Sequence, residues 1–241
     1  LAPTAIAIYP EKLPAGAPSR NQLAAWQLVQ ARLAPSVSAI DVWPTLLEHK
    51  GEYIYFRTDH HWTMRGAYYA YAALMQQQGL TPMPLGNLQS TIVSNDFFGT
   101  HYAKASLRSL EPDQIEVLQE LPAPAVKVHY PAEPVTRDSL FDRAYLEQAG
   151  QYSYFLGGNH GVVEIKTGID NGRSLLLVKD SYAHCLIPFL TAHYEHIHIL
   201  DLRYYSLSPS QYARDQACDE VLFLFSLAQF SSPANLHKLN R

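Results

Sequence analysis

SLLLVKDS, residues Ser174 to Ser181, is an apolar run that stops on Lys179-Asp180-Ser181. A strand with no polar face is buried on both sides, as in a sheet sheltered by helices. HIHILDLR (196–203) and EVLFLFSL (220–227) repeat the pattern. Between them lie a helix over Tyr182 to His193, broken near Pro188, and another from about Pro209 to Ala217. Strands alternating with helices predict an α/β fold in three layers, its central sheet mainly parallel.

Upstream, between about residues 85 and 170, the texture changes. Short apolar pieces (Ile115 to Leu118, Ala125 to His129, Tyr152 to Leu156, Val162 to Lys166) are separated by Pro, Gly, Asn and Asp. This predicts an antiparallel β insertion capping the cleft within one domain of residues 1–241. Nearer the start, Asn21 to Leu33 carries apolar residues on one helical face. Val37 to Val42 and Tyr53 to Phe56 read as short strands, and Thr63 to Gln78 as a helix with Thr63 as N-cap and Gly79 as stop. LAPTAIAIYP reads as the tail of a strand before a Pro turn, so a preceding segment is expected.

Composition narrows the function. The 241 residues are 47% hydrophobic and 17% charged, enough apolar material for a substantial core. A net charge of -4, with no Lys/Arg cluster longer than two, offers nucleic acid no basic face. No apolar run approaches the roughly 20 residues that span a bilayer. Cys185 and Cys218 stand apart with no CxxC, which predicts buried thiols rather than a disulfide framework or zinc site.

Chemistry gathers at two places. Ser181 follows a buried strand and opens a helical turn, where hydroxyl and backbone N–H face the crevice of a parallel sheet; alternatively Asp180 or Ser181 only caps that turn. Asp59-His60-His61-Trp62 follows Phe56. A serine hydroxyl needs a base, and the base needs an acid to orient it. Residues i and i+2 of an extended segment share a side, so Asp59 is paired with His61 as base, ahead of His60.

YIYFRTDHHWTMRGAYYAY, SNDFFGTHYAKAS, YFLGGNHGVVEI, LLLVKDSYAHCLIPFL and ILDLRYY together resemble, in order and over nearly the whole chain, the bacterial DHHW family. That family is similar to the alginate O-acetyltransferase-like branch of the SGNH hydrolase superfamily, in which Asp-x-His-Trp precedes the nucleophilic serine. The resemblance implies an SGNH-hydrolase-like fold and catalysis by Ser181, His61 and Asp59. It further implies acetyl groups, a cell-surface polysaccharide or other acetylated substrate, a membrane acyl-donor partner and an extracytoplasmic, anchored setting. No cofactor or metal is implied. The chain departs from the wider superfamily, which carries Gly-Asp-Ser near the amino terminus and Asp-x-x-His near the carboxyl terminus: Lys179 stands where that Gly would be and is expected to be peripheral to the chemistry.

An oxyanion hole requires donors aimed at the developing charge. The Ser181 N–H is one, Arg203 is the preferred supplement and Asn159 a further candidate; the alternative for Arg203 is an ion pair with Asp201 or Asp180. Trp62, Tyr102, Tyr204 and Tyr205 are candidates for stacking on sugar rings, with core packing as the alternative. Two other readings compete. A glycan-binding module on the same fold needs no turnover. A metal-dependent phosphoesterase, suggested by Asp-His-His and GGNH, needs many carboxylates, yet the chain has no Asp-x-Asp and only Asp41 precedes Asp59.

Overall fold

The structure, a computed structural model, describes residues 1–105, 109–231 and 236–240. Strands β1 (Gln89–Phe97) and β2 (Asp113–Gln119) form a separate antiparallel ribbon. Strands β3 (Val126–Tyr130), β4 (Val135–Arg137), β5 (Val162–Thr167), β6 (Ser174–Lys179), β7 (His196–Asp201) and β8 (Glu220–Leu224) form the main sheet, in the order β4-β3-β5-β7-β6-β8. The helices are α1 (Ala5–Ile8), α2 (Gln22–Gln30), α3 (Trp43–Glu48), α4 (Met64–Gln77), α5 (Thr100–Ala105), α6 (Ile187–Leu190), α7 (Pro209–Asp215) and α8 (Leu227–Phe230).

The mainly parallel sheet expected from the sequence is corrected. Only β6 with β7 and β6 with β8 run parallel; β3–β4, β3–β5 and β5–β7 are antiparallel. Much of the segment read as a capping insertion therefore extends the central sheet. Its composition explains why: in β5, Val163, Ile165 and Thr167 are buried while Lys166 is exposed. That alternation suits an antiparallel strand with one wetter face.

All six residues of β6 are buried, because β7 and β8 flank it and both faces are covered. Leu175 and Leu177 enter the larger core with Trp62, Tyr71 and Phe189; Leu176 and Val178 enter a smaller one with Leu200, Leu202 and Phe225, against which Tyr212 and Ala213 of α7 pack. Each such side chain contributes about 1.5–3 kcal/mol. On the larger side, α4 is capped by Thr63, whose Oγ1 accepts the Gly66 N–H at 3.2 Å. A Cβ on Gly66 would lie 2.2 Å from the Ile54 carbonyl oxygen, so only glycine lets α4 rest on that segment.

Other expectations shift locally. Residues 37–42 form no strand; Asp41 Oδ1 instead accepts the Trp43 N–H at 3.1 Å and turns the chain into α3. Tyr53 to Phe56 keeps one bridge, Tyr55 to Trp62, and the expected helix after Ser181 divides into a 3-10 turn, Ser181–Ala183, and α6. Residues 151–154 form a 3-10 turn rather than a strand. Strand β8 lies at the sheet edge, leaving Val221 and Phe223 48% and 44% exposed. Ala2 bridges Ser226 in parallel before the chain enters α1. Ser106, which ends the SNDFFGTHYAKAS segment, lies outside the described residues. No described helix is long and apolar enough to cross a membrane.

Candidate active site

The Asp59 loop is a tight excursion between two hydrogen bonds, Phe56 N–H to the His61 carbonyl (3.2 Å) and Thr63 N–H to the Ile54 carbonyl (3.0 Å). Asp113, at the start of β2 and fully buried, organises its near side. It accepts the Thr58 N–H at 2.7 Å, the Thr58 hydroxyl at 2.6 Å, the Arg57 N–H at 3.0 Å and the Tyr53 hydroxyl. Asp59 then accepts the backbone N–H of His61 at 3.0 Å and lies 2.5 Å from its Nδ1. The expected pairing is present, but a turn held by the Asp59 side chain makes it rather than an extended strand.

The remaining Asp59 oxygen accepts the Thr100 N–H at 2.8 Å and its hydroxyl at 3.1 Å. Gly99 permits this approach, since a Cβ there would fall 2.2 Å from Asp59 Cβ. Burial pushes the Asp59 carboxyl up, but the hydrogen bond and charge of His61, the charge of His60 and the Thr100 N–H outweigh it. The carboxyl is held well below the usual range. His60 points elsewhere, with Nδ1 2.6 Å from the Thr100 hydroxyl.

Ser181 sits just past β6. Asp180 caps its turn, accepting the Tyr182 N–H at 2.9 Å with one oxygen and the N–H and hydroxyl of Ser226 with the other, at 2.8 and 2.9 Å. Capping thus falls to Asp180 and leaves Ser181 Oγ free to meet His61 Nε2 at 2.7 Å. The Ser181 N–H, first in the turn, has no acceptor within it. The structure therefore brings Ser181, His61 and Asp59 into one chain of contacts.

The supporting candidates fall differently. Trp62 is corrected as a sugar-stacking residue: it is 1% exposed, and its indole N–H donates to the Tyr182 carbonyl at 2.8 Å, tying the histidine loop to the serine turn. Arg203 donates through Nε and Nη2 to Asp201 at 2.9 and 2.6 Å and through Nη2 to Asn159 at 2.8 Å, the ion-pair alternative. Tyr204 is 57% exposed, with the Arg203 guanidinium over its ring. Lys179 is not peripheral in the fold. Fully buried, it donates to Asp201 at 3.1 Å and His184 at 2.7 Å.

Sequence reading missed Asp113, Thr100 and Tyr152. Thr100 lies within SNDFFGTHYAKAS, whereas Asp113 carries no local signal. Tyr152 stacks flat on His61, ring centroids 3.7 Å apart at 6°. Among the described residues, the one group of three possible metal ligands is Asp59, His60 and His61, all from one loop. Since Asp59 and His61 bond each other, the group does not fit a two-metal site drawing ligands from several strand ends. A separate cavity of about 680 Å³, lined by Trp26, Val37, Leu222 and Phe225 among others, touches none of the three aligned residues.

Fold and site together define an α/β protein with a serine–histidine–aspartate array beyond a central strand. The chain belongs to the DHHW protein family, whose sequence model matches residues 1–200. A DHHW family protein from Eubacterium siraeum superposes with a TM-score of 0.86 at 27% identity, over 100% of this chain and 80% of that one. Bacillus cereus PatB1, solved with a sulfonyl adduct, gives 0.78 at 20% identity, over 95% of this chain and 80% of its own. The O-acetyltransferase domain of Pseudomonas putida AlgJ gives 0.53 at 16% identity, over 100% and 81%. The latter two show a shared fold. No curated protein matches the sequence.

Proposed function

We propose that this protein is a serine-dependent acyltransferase that moves an acetyl group onto a hydroxyl of a cell-surface polysaccharide, with water as the alternative acceptor. The observation that carries the reading is the unbroken alignment of Asp59, His61 Nδ1, His61 Nε2 and Ser181 Oγ at hydrogen-bond distances of 2.5 and 2.7 Å. The shared fold with a domain named O-acetyltransferase supports acetyl as the group carried.

In the first half-reaction, Ser181 Oγ attacks the ester carbonyl carbon while His61 Nε2 takes its proton. The Ser181 N–H donates to the oxygen that becomes negative. Collapse of the tetrahedral species breaks the bond to the leaving group, which takes the proton from His61, and leaves acetyl-Ser181. An acceptor hydroxyl then gives its proton to His61 and attacks the acyl carbon; Ser181 recovers its proton as the ester bond breaks. Asp59, ionised throughout, holds the imidazole orientation and balances its transient charge. Arg203, committed to Asp201 and Asn159, shapes the neighbouring strand end. In the cell, this reading places the protein outside the cytoplasm, with a membrane partner supplying the acyl donor.

Intact-mass spectrometry after brief exposure to p-nitrophenyl acetate tests the mechanism. An acetyl adduct is expected on the wild type and on neither Ser181→Ala nor His61→Ala. An adduct equally abundant on Ser181→Ala would remove the mechanism and leave a glycan-binding module as the better reading.

A further inference from the structure

We infer that Tyr152 is a positioning residue for the base, its ring holding the His61 imidazole in the plane that serves both Asp59 and Ser181. This inference rests on the acyl-transfer reading of the site. His61 makes one bond through each ring nitrogen, Nδ1 to Asp59 and Nε2 to Ser181. Both act at the edge of the ring and leave its tilt to be restrained by what lies against its faces. A contact on the ring face removes this freedom, and Tyr152 supplies it at 3.7 Å and 6°. The other rings beside His61 are tilted against it, His60 by 38° and Tyr182 by 48°.

Tyr152 is itself held from several directions. Its hydroxyl donates to the Ser181 carbonyl at 3.0 Å and lies 3.3 Å from Cys185 Sγ. The rings of Phe56 and Phe155 pack against it at 6.2 and 5.4 Å. Its backbone belongs to the turn Gln151–Tyr154, entered through Gly150 at φ 82°, and the neighbouring Gln151 is anchored to Ser94 at 2.6 Å. One rigid side chain therefore touches the face of the base and the backbone of the nucleophile. The hydroxyl stays a neutral donor, because burial and then Cys185 push it well above its ordinary value.

The contact also favours the reaction's charge development. When His61 takes the Ser181 proton, a cation lies over an aromatic face, an attraction absent from the neutral ring. Binding that strengthens only in the transition state raises kcat rather than lowering KM.

The test compares steady-state turnover of p-nitrophenyl acetate by wild type, Tyr152→Phe, Tyr152→Leu, Tyr152→Met and Ser181→Ala, with folding checked by circular dichroism. Removing the ring with Leu or Met is expected to lower kcat about 10- to 100-fold with KM within about twofold. Phe, which restores the ring face and loses only the anchor to Ser181, is expected to recover most of that loss, to within about threefold of wild type. A folded Leu or Met variant with wild-type kcat would overturn the inference. So would a Phe variant as slow as Leu, which assigns the effect to the hydroxyl. If Ser181→Ala retains full turnover, the acyl-transfer reading itself fails, an outcome distinct from either.

Discussion

At the scale of single residues, the division of labour within Asp59 is the controlling feature. One oxygen meets His61 twice, at its backbone N–H and at Nδ1, and the other is held by Thr100. Asp59→Asn preserves the size but removes the charge and presents an amide that can stabilise the wrong imidazole tautomer. A fall in kcat of about 10³ to 10⁴-fold is expected, with little change in KM, measured by steady-state kinetics. The meeting of Ser181, His61 and Asp59 was legible in the sequence because Ser181 ends a buried apolar run and Asp59 stands two positions from His61. Trp62 was misread because an aromatic beside a motif looks alike whether it faces a ligand or the core. Tyr152 was missed because stacking across a fold leaves no local pattern.

At the scale of elements, the site depends on a ribbon outside the main sheet. Asp113 of β2 reaches from that ribbon to hold Arg57, Thr58 and Tyr53, and so sets the entry of the Asp59 loop. Asp113→Ala leaves buried donors without an acceptor. It is expected to destabilise the fold by about 3 to 5 kcal/mol in urea titrations, with turnover falling even in conditions where the protein stays folded. Unchanged stability would show that the loop is held otherwise. Strands β6 and β7 were legible because continuous apolar runs need cover on both faces. The direction of β3, β4 and β5 was not: alternation marks one drier face without saying which neighbour a strand pairs with. The 53–56 segment failed as a strand for a related reason, since its residues pack individually into the core and leave one bridge.

At the scale of the whole molecule, the buried titratable groups set an acid limit on stability. His184, His193 and His198 are all held below the ordinary histidine value, chiefly by burial. The unfolded chain therefore binds more protons once the pH drops below about 6.5, and stability falls as the pH is lowered from there. Asp59 and Asp201, both held low, contribute stability that is present above about pH 4 and lost as the pH drops through their folded values. Asp180, raised by burial, opposes this trend but is one group against several. Urea unfolding between pH 8 and 4 should show a plateau near neutrality and a decline below about 6.5. His184→Gln should flatten the upper part of that decline; stability rising on acidification would contradict the assignment. Such long-range burial could not be read from the sequence, because the groups that bury these histidines lie on separate elements.

The bond between His61 and Ser181 and the one between Trp62 and Tyr182 each join residues 120 positions apart. No fragment that lacks either half holds Ser181 against His61, and closing so long a loop carries an entropic cost that is met only when the intervening sheet condenses. The Ser181–His61 contact is thus a product of completed folding, and on the acyl-transfer reading acylation of Ser181 during refolding is expected to emerge with the last long-range contacts to form.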